Sequence, residues 1–254
     1  MSQSQRDLPA PIFIDRKRIL ELNGHPVHNI ILASIAEQER RLLQPILRFV
    51  SLDRRESLYN PGEKIENGYF PNTGLVSLLV TTAEGNTVEV GTVGREGFVG
   101  LPILFGFDRS PHRALIQVPP GEGFLIKADD LKRIKPEIPE TENRLYRFSF
   151  LQGLIMAQNV ACNRLHEVDQ RLARWLLMSQ DRLQIAFIDL TQDFLAQMLG
   201  SSRPTVTLAV GSLEQSGAIQ HNRGKVTILD KEILEQSACE CYGVIGKLSK
   251  EFGL

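Results

Sequence analysis

The sequence predicts an α+β fold: an N-terminal β sandwich or barrel, one long helix, and a C-terminal winged helix-turn-helix. Three observations predict it. From about Leu52 to Ile126, short apolar segments are broken by Gly and Pro at roughly eight-to-twelve-residue intervals, the punctuation of a sandwich or barrel. After Pro136 and Pro139, apolar residues recur at steps of three and four, a helical period. Between Leu190 and Gln215 the order helix, glycine, capping serine, helix is compressed into one short segment. The expected divisions are an N-terminal extension over residues 1–29, a β roll over 30–135, the long helix over 136–164 and the winged helix-turn-helix with a final helix over 165–254.

In chain order, Ile30 to Val50 carries apolar residues at helical spacing with charges between, so one or two short helices lead into the sheet. Leu75–Val80 and Thr87–Val90 flank Glu84-Gly85-Asn86, a hairpin signal. The long helix has two apolar stripes. One is Leu145, Phe148, Gln152, Ile155, Asn159 and Cys162; the other is Leu151, Leu154, Gln158, Ala161, Leu165, Val168 and Leu172. Two faces need two partners, the chain's own roll and the same helix of a second copy, which points to a parallel homodimer. A core helix of a monomer is the alternative. Helices are expected again over 168–183, 190–199 and 203–215, then a short hairpin and a final helix from Asp230.

The segment LTQDFLAQMLGSSRPTVTLAVGSLEQ carries the most chemistry. Thr191 is placed to cap a helix whose buried stripe is Leu195, Met198 and Leu199, and Gly200 ends it. Ser201-Ser202 offers the next cap, and Pro204 falls in the first turn of the second helix, where its missing N–H needs no partner. Val206, Val210 and Leu213 share the inward stripe. Ser202, Arg203, Thr205, Thr207 and Leu208 are then left near the exposed face, where arginine can grip a guanine edge and Thr or Leu can meet a thymine methyl. Ala218–His221 and Lys225–Leu229 flank Asn222-Arg223-Gly224 as a wing, whose Arg223 and Lys225 suit phosphate contacts. The bland alternative is an ordinary small helical domain with a solvated Arg203.

Composition limits the rest. Basic and acidic residues number 29 and 30 for a net charge of −1, so any basic surface is local and affinity per subunit is expected to be modest. No apolar run reaches the roughly 18 residues of a membrane span and the first residues lack a secretory pattern, which predicts a cytoplasmic chain with no membrane partner. Three cysteines, Cys162, Cys239 and Cys241, make no disulfide framework. Cys239-Glu240-Cys241 can be read as a redox or metal handle, but as two positions of one final helix the thiols point about 200° apart, so structural packing is the expectation and no metal ligands are assigned.

The segments YNPGE (Tyr59–Glu63), GYFPNTGLVSLL (Gly68–Leu79), GREGFVGLP (Gly94–Pro102), EVDQRLARWLL (Glu167–Leu177) and the helix-turn-helix together resemble the Crp/Fnr superfamily of bacterial transcription regulators along the whole chain. The resemblance implies that the β half is a cyclic-nucleotide-binding-like sensor roll, a double-stranded β-helix (jelly roll), followed by a dimerising helix and a winged helix that docks in the major groove of double-stranded DNA. Half-sites one helical turn apart, about 34 Å, follow, with RNA polymerase a candidate partner. It also implies roles for residues: Arg203 as the first base-contacting arginine, Thr205 as its neighbour, Thr191 as a phosphate contact. Pro204 and Leu208 stand where cyclic-AMP-responsive members place a glutamate and a second arginine, so a different operator is expected.

The same resemblance places an effector pocket at Gly100, Leu101, Arg113 and Ala114. Leu101 stands where those members use a carboxylate for the ribose hydroxyl, and Arg113-Ala114 aligns with the phosphate pair only with about two extra residues in the loop. Cyclic AMP is therefore not the expected effector, and the small-molecule effector and any cofactor stay open. Two rival readings remain: a metal-dependent or small-molecule-binding β-barrel enzyme, for which His25, His28, His112, His166 and His221 lack paired ligand spacing, and a protein-interaction module whose winged helix contacts protein.

Overall fold

A computed structural model of the chain describes residues 20–183, 187–222 and 224–253. A small hairpin, β1 (Glu21–Leu22) with β2 (His25–Pro26), precedes two short helices, α1 (Ile30–Ser34) and α2 (Glu37–Leu43). Seven strands follow: β3 (Leu47–Leu52), β4 (Ser57–Tyr59), β5 (Asn67–Pro71), β6 (Leu75–Thr81), β7 (Thr87–Val93), β8 (Arg113–Val118) and β9 (Gly121–Lys127). They form two antiparallel sheets, ordered β3-β9-β5 and β4-β8-β6-β7, a jelly roll. The short-segment punctuation produces this because the chain turns after each short strand; β5, β6, β8 and β9 are buried on both faces over most of their length. Phe70, Phe98, Phe124, Ile116 and Ile126 fill the space between the sheets. The β6–β7 hairpin closes where expected, with Thr82 N–H donating to Asn86 and Gly85 N–H to Thr82.

A short helix, α3 (Ala128–Ile134), leads to α4 (Pro139–Leu165), which lies on the roll. The N-terminus of α4 has no cap of its own. The buried Glu39 carboxylate, from α2, accepts from the backbone N–H of Glu140 at 2.7 Å and Thr141 at 2.8 Å and from the Thr141 hydroxyl at 2.6 Å. A carboxylate there offsets both the orphan donors and the positive end of the helix dipole. Phe148 sits so close to Gly97 that a Cβ on the glycine would lie 2.1 Å from the ring, so the loop Gly94–Pro102 can pass only without a side chain.

The rest is helical apart from a small sheet: α5 (Val168–Leu183), β10 (Phe187–Asp189), α6 (Gln192–Leu199), α7 (Arg203–Gln215), β11 (Ile219–Asn222), β12 (Lys225–Ile228), α8 (Lys231–Ser237) and α9 (Cys241–Phe252). The strand order is β10-β12-β11. The expected single final helix is a correction: it breaks at Ala238–Glu240 into α8 and α9, and α9 folds back along α4 so that Ile245 packs on Leu151 and Ile155. Strand β10, too short to show a period, also departs from the expectation of helices alone.

α5 is the hub, with Leu172, Ala173, Trp175, Leu176 and Leu177 buried in a second core that also takes in Leu75, Leu79, Leu115 and Val118 of the roll. The helical half is thus docked on the sheet. Trp175 Nε1 donates to Glu89 at 3.0 Å, and Arg182 pairs with Glu96 at 2.8 Å, both largely buried.

Candidate nucleic-acid interface and roll cavity

The head, the helix-turn-helix of α6 and α7, is built by local rules. Thr191 caps α6 by accepting from Phe194 N–H, and Gly200 ends it with φ at 56°, a left-handed angle that costs glycine little. Ser202 then caps α7 by accepting from Thr205 N–H, with Pro204 in the first turn. Val206, Ala209, Val210 and Leu213 turn inward. Buried Arg171, from the Glu167–Leu177 segment, donates to the Leu199 carbonyl and ties the end of α6 to α5.

What remains outside is a continuous face. Ser202, Arg203, Thr205, Thr207 and Leu208 are all exposed, Leu208 at 75%. The face is held in place: Arg203 pairs with Asp193 at 3.2 Å, the Thr207 hydroxyl lies 3.0 Å from Gln192 Oε1 and from the Arg203 carbonyl, and Ser202 and Thr205 share a hydrogen bond of 2.7 Å. The exposed Arg203–Asp193 pair is weak in water and easily traded for another acceptor. Beside it, Lys225 stands over the Phe187 ring at 4.6 Å with Asp189 at 4.0 Å. The wing is anchored to the head by Leu190 N–H, which donates to the Gly224 carbonyl at 2.6 Å. Arg223 lies outside the described residues.

The roll contains a cavity of about 480 Å³. Gly100 and Leu101 line it; Arg113 and Ala114 do not. This corrects the expected phosphate pair. Arg113 is turned to the Ser57 hydroxyl, donating through Nε at 3.0 Å and Nη2 at 2.8 Å, and Ala114 is wholly buried. Its walls are chiefly apolar, among them Tyr59, Leu78, Phe98, Leu101 and Phe107, and α4 contributes Gln152 and Met156. Arg109 at the edge donates to the Gly62 carbonyl and stands 4.0 Å from Asp108. Burial lowers the pKa of His112, leaving its imidazole neutral near pH 7. Arg109 is the lysine or arginine side chain that lines the cavity among the described residues, and its pair with Asp108 is exposed and long.

The cysteine reading is also corrected. The break between α8 and α9 takes Cys239 out of any helix and brings Cys162, His166, Cys239 and Cys241 together, their donor atoms within 4.8 Å of one another. The signal available in the sequence was the spacing Cys-x-x-x-His plus Cys-x-Cys, and the intervening distance hid it.

A jelly roll is joined here by a long helix to a helix-turn-helix whose second helix is capped and exposed beside a wing, an arrangement able to present side chains to DNA. Comparison with known proteins agrees. Residues 170–237 match the model of the Crp-like helix-turn-helix domain. The chain is 27% identical over 184 residues to the transcriptional regulator SdrP of Thermus thermophilus, covering 70% of this chain and 86% of that one. It is 23% identical over 202 residues to the global nitrogen regulator of Synechococcus elongatus, covering 75% and 89%. The structure of FixK2 from Bradyrhizobium japonicum superposes with a TM-score of 0.65 at 16% identity, covering 76% of this chain and 98% of that one. Residues 170–237 thus form a Crp-like helix-turn-helix domain, and over most of its length the chain is similar to transcription regulators.

Proposed function

We propose that the chain binds a two-fold symmetric operator as a homodimer, reading base edges with the start of α7 and answering an effector other than a cyclic nucleotide. In this reading residues 30–135 sense, 136–164 pair, and 165–254 bind DNA, in the cytoplasm and with RNA polymerase as the machinery regulated. Arg203, Thr205, Thr207 and Leu208 meet bases; Thr191, Ser202, Lys225 and Arg223 meet phosphates.

The observation that carries it is a bare seam on α4. Tyr146, Phe150, Gly153, Ala157 and Val160 recur at steps of four and three, and all are exposed, Phe150 at 62% and Val160 at 71%. That spacing is the a/d pattern of a two-stranded coiled coil, and the small residues let two backbones approach. It differs from the expected second stripe, because α9 covers Leu151. Pairing also suits the charge: with few basic residues on each head, two half-sites supply the affinity that one lacks.

Against a cyclic nucleotide stands the cavity itself. A buried phosphate needs a paired cation and a ribose hydroxyl an acceptor, yet Arg113 is engaged elsewhere, Arg109 stands at the exposed edge beside Asp108, and Leu101 accepts nothing. Its walls fit a mainly apolar small molecule. Because α4 forms one wall, such a ligand touches the helix that pairs the subunits. Two experiments test the reading. Genomic fragments recovered with the purified protein are expected to share a two-fold symmetric motif, lost with Arg203→Ala; an asymmetric motif sinks the dimeric reading. Calorimetry with cyclic AMP and cyclic GMP is expected to show no heat, and micromolar binding overturns the effector assignment.

A further inference from the structure

At the junction where α4 ends and α8 bends into α9, four donor side chains converge, away from both the reading head and the cavity. Cys162 and His166 are one turn apart at the end of α4 and so share a face. Cys239 and Cys241 come from the bend, 73 residues and more along the chain. All three thiols are free and buried, and the His166 side chain is 15% exposed. Cys162 Sγ is 3.5 Å from Cys239 Sγ, and Cys241 Sγ is 3.6 Å from His166 Nδ1.

Those separations carry the argument. A tetrahedral Zn²⁺ with metal–sulfur bonds of about 2.3 Å and metal–nitrogen bonds of about 2.0–2.1 Å has donor–donor edges of roughly 3.5–3.8 Å. Two observed edges fall in that range, and no pair of donors exceeds 4.8 Å. Four donors so close fit one ion. A cluster of several irons puts its ligands on different metal atoms and spreads them further.

The surroundings are those of ligands too. His166 Nε2 lies 3.1 Å from the Glu240 carboxylate, the second partner that a ligating histidine needs when its Nδ1 faces the metal, as Nδ1 here faces the thiols. Gln158 Nε2 donates to Cys241 Sγ at 3.0 Å. Three thiolates and a dication leave one net negative charge, and the buried guanidiniums of Arg171 and Arg174 lie within electrostatic reach of it. The Nε of each is buried with no hydrogen-bond partner.

We propose that Cys162, His166, Cys239 and Cys241 form a closed Cys₃His site for one Zn²⁺, which clips the C-terminal helices of the DNA-binding half to the end of the pairing helix. Binding releases the three thiol protons, so affinity rises with pH. With all four positions taken by protein, the ion has no open coordination site and its role is structural. It spans the turn at His166–Glu167 between α4 and α5, the place about which the head would swing relative to α4.

The test uses the full-length chain. Protein purified from zinc-containing medium is expected to hold about one zinc per chain by elemental analysis after dialysis. Reduced, metal-free protein titrated with Co²⁺ is expected to develop the thiolate-to-cobalt absorption and the intense visible bands of tetrahedral cobalt, saturating at a single equivalent and bleached by Zn²⁺. Cys239→Ser is expected to weaken the visible bands; Glu240→Gln, exposed and conservative, keeps them while zinc affinity falls roughly 10–100-fold. Fully reduced wild-type protein that gives no such bands overturns the proposal without recourse to any variant. So does a Cys162–Cys239 disulfide in protein isolated fresh with its thiols trapped, together with substoichiometric zinc.

Discussion

The reading head and the roll cavity are both sites, yet they are built in opposite ways. The head is assembled within one short segment, where each residue's place follows from its neighbours: a cap accepts from the N–H three residues on, and Gly200 turns the chain between two helices. The cavity is lined from strands, loops and α4, drawn from Tyr59 to Met156. A locally built site keeps its chemistry so long as the segment is intact. A site assembled over such a distance changes function when one strand shifts register, and here the cation that would hold a phosphate has turned to Ser57.

If the head is as self-contained as its construction implies, its affinity depends on pairing more than on anything in the roll. Ala157→Glu with Val160→Glu places two charges on the exposed seam and touches no core of the single chain. Sedimentation is expected to show a monomer, and operator affinity to fall roughly 10²–10⁴-fold as the second half-site is lost. A dimer that survives both charges removes α4 as the pairing element.

The joint between the regions can be weakened by pH. The Glu89 carboxyl accepts from the Ser77 hydroxyl at 2.5 Å and from Trp175, with Arg182 and Arg174 of α5 nearby. Burial outweighs these and raises its pKa from 4.5 to about 7. The docked state therefore keeps a proton that the released carboxyl would lose. Its contribution is complete below pH 4.5, falls as pH rises to about 7, and is level above. The loss is on the order of 3 kcal/mol. Glu89→Gln is expected to flatten the thermal stability of the chain across that window; identical pH profiles for the two proteins count against it.

Much of the fold was legible in the sequence because its signals are local. The hairpin glycine, the caps and the α7 stripe all act over a few residues. Three features were not. Whether Arg113 faces the cavity depends on register, and register shifts occur both between Ser57 and Tyr59 and between Leu75 and Val76; one residue of slip reverses a strand's faces. Which stripe of α4 stays bare depends on α9 returning to cover Leu151. The approach of Cys239 to Cys162 depends on a break in a segment whose composition reads as continuous helix.

Within the head, base reading and phosphate anchoring should separate. Arg203→Ala is expected to cost about 1–3 kcal/mol on the operator and far less on random DNA, so selectivity narrows in competition gel shifts. Equal loss on both would make Arg203 a phosphate contact.

Lys225→Ala is the smallest change and the sharpest control. Its ammonium, balanced between the Phe187 ring and Asp189, sits at the base of the wing, where it can reach the backbone but carries no groove-reading geometry. Affinity is expected to fall by a similar factor on operator and random DNA, and the slope of log affinity against log salt to lessen by about one. Because Lys225 pairs with Asp189 in the free protein, part of that change is a contact exchanged and not one gained, which keeps the loss modest. If selectivity moves and the salt slope does not, the wing reads sequence, and the division of labour between α7 and the hairpin is wrong.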